Sequence, residues 1–143
     1  MSQTPENSKA LDLAVEILES GAVKPTRQRL AIARVLFARH QHLSADQVMT
    51  LVNQNGADTE LSKATVYNTL KLFVEKRLIR EVIVDPDKVF YDSNTSPHHH
   101  FYNIQTGEII DIDAAEITVA GLPPLPEGKV AEGVDVIVRI RAI

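Results

Sequence analysis

Through the first half of the chain apolar residues recur at the spacing of one helix face, and near its end they alternate with polar ones, so the two halves predict different structure. Leu11, Ala14, Val15 and Leu18 share a face that runs to Ser20 and stops at Gly21. Pro25-Thr26 supplies a cap for a second helix over Arg27 to Arg39, with Leu30, Ala33 and Phe37 joined by Ala31, Val35 and Ala38 in a broad apolar stripe. Ser44-Ala45-Asp46-Gln47 is a capping box, so a third helix starts there, runs to about Asn55 and closes on Gly56. Ser62 caps a fourth helix, Lys63 to Lys76. Its Val66, Leu70, Phe73 and Val74 fall on a core stripe, and Lys63, Ala64, Tyr67, Asn68 and Lys71 occupy the other face. Leu78 to Val84, the turn Asp85-Pro86-Asp87-Lys88, and Val89-Phe90-Tyr91 then predict a hairpin. Helices followed by a β-hairpin are the plan of a winged helix-turn-helix.

Beyond Asp92 the pattern changes. His100 to Ile104 and Glu108 to Ile112 read as strands joined by Gln105-Thr106-Gly107, whose glycine permits a tight turn with positive φ. Asp113 to Ala120 predicts a short helix, and Leu122-Pro123-Pro124-Leu125-Pro126-Glu127-Gly128 a connecting loop. Val134, Val136, Val138 and Ile140 then make one face of a strand. The expected fold class is α+β: an N-terminal winged helix-turn-helix domain over residues 1–92 and a small α/β dimerisation and ligand-sensing domain over 93–143. A domain of about fifty residues with no large core is marginal alone, so it is expected to form a homodimer through its sheet. A dimer also suits a palindromic operator in double-stranded DNA.

Charge and composition sharpen this. Net charge is -4 over 143 residues, but Lys24 to Arg80 holds ten Lys and Arg against four Asp and Glu, while Glu81 to the end holds four against eleven. Such asymmetry suits a first half that meets a polyanion. On the fourth helix a phenol can pack on thymine methyls, an amide can bond base edges and lysines can neutralise phosphates. The predicted DNA-binding residues are Lys24, Arg27, Arg29, Lys63, Thr65, Tyr67, Asn68 and Lys71. No apolar run approaches the roughly 18 residues of a membrane span, and Met1-Ser2-Gln3-Thr4-Pro5-Glu6 lacks the marks of a signal peptide. The expected location is therefore cytoplasmic, with no membrane partner. The chain has no cysteine, which excludes disulfides, thiolate zinc sites and thiol-based redox sensing. Any metal must use nitrogen and oxygen.

Three of the five histidines lie in a row in Asp92-Ser93-Asn94-Thr95-Ser96-Pro97-His98-His99-His100. Imidazole and carboxylate together suit a borderline metal or the iron of heme. In an extended chain His98 and His100 share a face and His99 points to the other, so one ordinary site does not take all three. Taken singly, these residues have plainer readings. Tyr67 can cover a helix pair, His40 and His42 can be favourable charges past a helix end, and Asp111 can be a strand-edge carboxylate.

In order and without large gaps, Pro25-Thr26-Arg27-Gln28-Arg29, His42-Leu43-Ser44-Ala45-Asp46, Ser62 to Leu70, Phe90-Tyr91-Asp92 and the histidine triplet resemble the ferric uptake regulator superfamily. The triplet, the missing cysteines and the ending Val134 to Arg141 resemble its iron response regulator branch, which responds to heme. The resemblance implies a regulator with Tyr67 and its helix in the major groove and Lys24 near the minor groove. It also implies an inter-domain metal site of His42, Asp92, His98, His100 and Asp111 for Fe2+ or Mn2+, with Zn2+ as an in vitro substitute. Heme would use His98, His99 or His100, with His99 the freer candidate, and would weaken DNA binding. Where many relatives carry a cysteine pair for structural zinc this chain has Asn103 and Thr106, so that site is absent. At a second histidine-rich site of some relatives the matching positions are Pro97 and His99, one ligand short. The Cys-Pro heme motif of some branch members cannot exist here.

Other classes fit less of the chain. A repressor activated by a divalent metal, in the manner of iron-uptake or peroxide regulators, keeps every assignment except heme. A metal-dependent hydrolase would activate water at the same ligands, yet no separate general base or glycine-rich substrate loop is evident. A metal storage module leaves the Tyr67 face without a role.

Overall fold

In a computed structural model, residues 5–54 and 60–143 are described. The expected close of the third helix at Asn55 and Gly56 lies outside them. The chain divides into two compact units, Met1–Thr95 and Ser96–Ile143, so the division falls a few residues beyond the expected one at Asp92.

The first unit is built from helices α1 (Pro5–Ser20), α2 (Arg27–Leu36), α3 (Ala45–Gln54) and α4 (Lys63–Glu75) with strands β1 (His42–Leu43), β2 (Arg80–Asp85) and β3 (Lys88–Asp92). Three helix starts are capped as their sequences require. Thr26 Oγ1 accepts the Arg29 N–H at 3.3 Å, Ser62 Oγ accepts the Thr65 N–H at 3.1 Å, and Ser44 and Gln47 exchange bonds of 3.1 and 2.8 Å. Each cap contributes about 1 kcal/mol. Leu18, Ile32, Leu36, Val48, Val66, Leu70 and Phe73 pack from all four helices into one core, and burying a side chain the size of Phe73 contributes about 1.5–3 kcal/mol.

Helix ends depart from the expected ones. α2 stops at Leu36 rather than Arg39, because Gln41 Nε2 takes the Val35 carbonyl at 2.7 Å and turns the chain into β1. That strand was not expected from its two residues. The end of α1 is not set by Gly21: Ala22 is the residue with positive φ, at 57°. Ala22 N–H bonds the Glu19 carbonyl and Val23 N–H the Leu18 carbonyl, the paired bonds of a Schellman end. A Cβ on Gly21 would meet Leu78 Cδ2 at 2.8 Å, so a larger residue there requires that side chain to shift. α4 closes the same way, with Arg77 at φ 59° and bonds from Arg77 to Val74 and from Leu78 to Phe73.

The sheet of this unit has the order β1-β3-β2, all antiparallel. Asp85 Oδ1 accepts the Asp87 N–H at 2.9 Å and holds the hairpin turn, and the pairing shifts between Ile83 and Asp85. Because β3 is central, its last residue Asp92 stands opposite His42 on one side and Arg80 on the other.

The second unit is smaller. β4 (His98–Asn103) pairs antiparallel with β5 (Ile109–Asp113) and parallel with β6 (Ile137–Ile140). The expected helix over Asp113 to Ala120 is only a 3-10 turn, Ala114–Glu116, capped by Asp113. Of the expected strand over Val134 to Arg141 only the β6 residues pair. Gly107 has φ 79° as its turn requires. Asn103 Oδ1 accepts from Gln105 and Thr106, and Thr106 Oγ1 from Glu108, so Asn103 and Thr106 close the loop with hydrogen bonds.

A left-handed non-glycine residue costs roughly 1–2 kcal/mol, partly offset by the entropy glycine loses on folding. Ala22→Gly and Arg77→Gly are each expected to raise unfolding free energy by about 0.5–1 kcal/mol. Urea denaturation measures it, and a loss of stability in both contradicts the strain at these ends.

Candidate functional site

Metal-ligating side chains gather at one place in each unit. In the first, Asp92 is fully buried, and His42 Nε2 lies 2.9 Å from its Oδ2. The Asn94 N–H bonds Oδ1 at 2.8 Å, so one carboxylate oxygen is hydrogen-bonded and the other faces the His42 ring. A buried carboxylate requires such partners, because an isolated one shifts its pKa and neutralises. Its neighbour Tyr91 has a phenol pushed above its ordinary value, first by burial, then by the negative charge of Glu81 and by Tyr67.

In the second unit the strand alternation puts His98 and His100 on the face of β4 that carries Asp111 of β5, whose register partner is His100. His98 Nε2 lies 3.6 Å and His100 Nε2 3.3 Å from the same oxygen, Asp111 Oδ1. The two rings meet edge to face with centroids 4.5 Å apart. All three residues offer a ligand atom within 4.8 Å of the others. His98 Nδ1 donates to the Ser96 carbonyl at 2.6 Å, so in the neutral ring the lone pair is at Nε2. A ligating histidine is usually oriented in this way.

His99 has the opposite ring assignment. Its Nδ1 accepts the Val136 N–H at 3.0 Å, so the neutral ring carries its proton on Nε2. The His100 N–H in turn bonds the Val136 carbonyl at 3.2 Å. Val136 is pinned at both backbone groups, and β6 begins from it. His99 is therefore buried and engaged, not the freer imidazole expected of a residue facing away from the pair.

The expected nucleic-acid face lies in the first unit. Lys63, Tyr67, Asn68 and Lys71 are exposed on α4, and Tyr67 is 43% exposed, too open for a side chain that merely covers a helix pair. Lys63 Nζ stands 5.8 Å from the centre of its ring, within cation–π range. Thr65 is half-buried, its hydroxyl bonded to Ser62. Lys24 and Arg27 are exposed, and Arg29 Nη1 donates to the Lys24 carbonyl at 3.1 Å. Arg29 from the start of α2 and Thr65 and Asn68 from α4 line one cavity of about 350 Å3, together with Thr26 and Gln28. The last two were not in the expected set, although they flank Arg27 and lie beside the helix cap.

Residues 20–122 match the ferric uptake regulator family. The chain belongs to that family. Over 107 residues it is 29% identical to the peroxide-responsive repressor PerR of Staphylococcus aureus, covering 75% of this chain and 71% of that one. The ferric uptake regulator of Pseudomonas aeruginosa, solved with manganese, superimposes with a TM-score of 0.66 at 24% identity, over 97% of this chain and 98% of that one. That of Francisella tularensis, solved with iron, gives 0.67 at 21% identity over 83% and 91%. These likenesses show the fold of ferric uptake regulators, an α+β chain with a helix-turn-helix domain and a small second domain. The family consists of transcription regulators, not enzymes. Among the described residues no helix is long and apolar enough to cross a membrane.

Of the sequence-expected ligands, His42 and Asp92 sit in the first cluster and His98, His100 and Asp111 in the second, while His99 sits in neither. His40 was passed over as a ligand, and the Ser96 carbonyl and the Val136 amide carry no sequence signal at all. His99→Ala is expected to speed hydrogen exchange of the Val136 amide about two- to tenfold, the worth of one hydrogen bond of ~0.5–1.5 kcal/mol. His99→Asn restores an acceptor and is expected to recover part of the protection. Unchanged exchange in His99→Ala removes the latch.

Proposed function

We propose that this chain is a dimeric DNA-binding transcription regulator whose operator affinity is set by a divalent cation, Fe2+ or Mn2+, held by His42, Asp92, His98, His100 and Asp111. Zn2+ occupies the same site in vitro. One observation carries the reading: the Nε2 atoms of His98 and His100 aim at a single carboxylate oxygen, and the other ring nitrogen of His98 is tied to a backbone carbonyl. A structural ion pair needs one imidazole, whereas a nitrogen and oxygen site for a borderline cation needs several converging lone pairs. The donor set fits such an ion with no cysteine. When bound, the cation supplies a charge that draws imidazoles and carboxylates together. The manganese and iron in the solved relatives support the choice of metal.

Two of these five residues belong to the first unit and three to the second. An ion that takes ligands from both restricts how a DNA-reading unit is held in a dimer, and so biases its fit to two half-sites. In that fit Tyr67 and Asn68 meet base edges, Lys63 and Lys71 meet phosphates, and Thr65, Arg27 and Arg29 hold the backbone near the start of α2. Lys24 approaches the minor groove.

The finer reading places the chain in the iron response regulator branch, with heme as the signal and release from DNA as the response. The run of three histidines and the cysteine-free composition favour it. Its ligand would then be His98 or His100, since His99 would have to give up its bond to Val136 to present Nε2 to iron.

The two readings separate in one assay. A duplex selected from a random pool is titrated by fluorescence anisotropy at fixed salt with Mn2+, with Fe2+ under anaerobic conditions, and with hemin. Tighter binding with Mn2+ or Fe2+, lost in His100→Ala, is expected. Indifference to both ions with release by hemin overturns the divalent-metal reading in favour of heme. In the same assay Tyr67→Ala is expected to cost about 1–3 kcal/mol of specific binding, and Lys71→Ala to lower the salt slope by about 1. Unchanged specific affinity in Tyr67→Ala removes α4 as the reading helix.

A further inference from the structure

Within the first unit two imidazoles converge on the Asp92 carboxylate, and only His42 belongs to the set above. The other is His40. Its Nδ1 lies 3.8 Å from Asp92 Oδ1, while His42 Nε2 lies 2.9 Å from Oδ2, so each carboxylate oxygen faces its own ring. The rings stand edge to face with centroids 5.6 Å apart.

Their common aim has a local cause. His40 ends a bend and His42 opens β1, and Gln41 between them is held away from the carboxylate. Its Nε2 donates to the Val35 carbonyl at 2.7 Å and its Oε1 accepts from Arg39 Nε at 3.4 Å. Gln41 thereby fixes the stretch to the end of α2 and sends both histidines toward the carboxylate. The His40 side chain is 48% exposed and that of Asp92 0%, so an entering ion has a solvent side on which to lose its water.

We propose that His40, His42 and Asp92 form a three-ligand site for a borderline divalent cation that the first unit carries by itself. Two imidazoles and a carboxylate are a donor set that Zn2+ accepts with a position left for water. The proposal deepens the reading of the metal centre and rests on it, since His42 and Asp92 serve both sets. It gives the first unit a means of capturing a cation through His40 with no ligand from the second unit.

The test uses the full chain and Zn2+ in competition with a chromophoric chelator. A variant with His98→Ala, His100→Ala and Asp111→Ala is expected to retain one equivalent of zinc, with the His40 ring nitrogens shifted in 15N NMR. Adding His40→Ala is expected to weaken that binding by on the order of ten- to a hundredfold. A triple variant that binds no zinc overturns the proposal, and so does an affinity indifferent to His40→Ala. His42→Ala in the otherwise native chain distinguishes the two failures. If it weakens zinc binding while the triple variant is empty, the five-residue reading stands and the capture site falls. If it changes nothing, both fall.

Discussion

A carboxylate with no exposure at the end of a central strand is the constraint on which the rest depends. Taking the Asp92 charge out of water costs several kcal/mol unless it is paired and hydrogen-bonded, and the fold meets that cost with backbone and imidazole. The antiparallel register puts His42 beside it, the turn at Ser93-Asn94 returns an N–H to it, and Gln41 ties the chain before β1 to the end of α2. The same residue closes the sheet of the DNA-reading unit. Whatever binds Asp92 therefore acts on the second strand of the hairpin that follows α4.

In the second unit, adjacent histidines differ in which nitrogen they present. His98 spends Nδ1–H on the Ser96 carbonyl and turns Nε2 toward Asp111, while His99 spends the Nδ1 lone pair on the Val136 amide. One triplet thus contains a pair that faces Asp111 and a structural latch for β6. Ligand geometry and sheet integrity are coupled through β4, because a change in the backbone at His100 is felt at the Val136 carbonyl that it bonds.

Much of this was legible in the chain. Period and caps placed α2, α3 and α4, since Thr26, Ser44 and Ser62 satisfy helix N–H groups locally and need no tertiary partner. Strand alternation separated His98 and His100 from His99 before any coordinates. What the pattern missed depends on contacts distant in sequence. β1 is two residues long and exists by pairing with β3, and the bond that gives His99 its work spans thirty-seven positions. The helix read into Asp113 to Ala120 failed because Asp113 caps only one turn and Ile117 is already extended. α1 ends at Ser20, just before Gly21 as expected, and the left-handed residue is the next one, Ala22.

Anomalous scattering at the manganese edge, from crystals of the full chain grown with Mn2+, tests the central assignment most directly. A peak within coordination distance of an Asp92 oxygen, His42 Nε2, His98 Nε2, His100 Nε2 and an Asp111 oxygen is the expected result. A manganese peak that touches neither Asp92 nor Asp111, or no ordered manganese at all under saturating Mn2+, would contradict it.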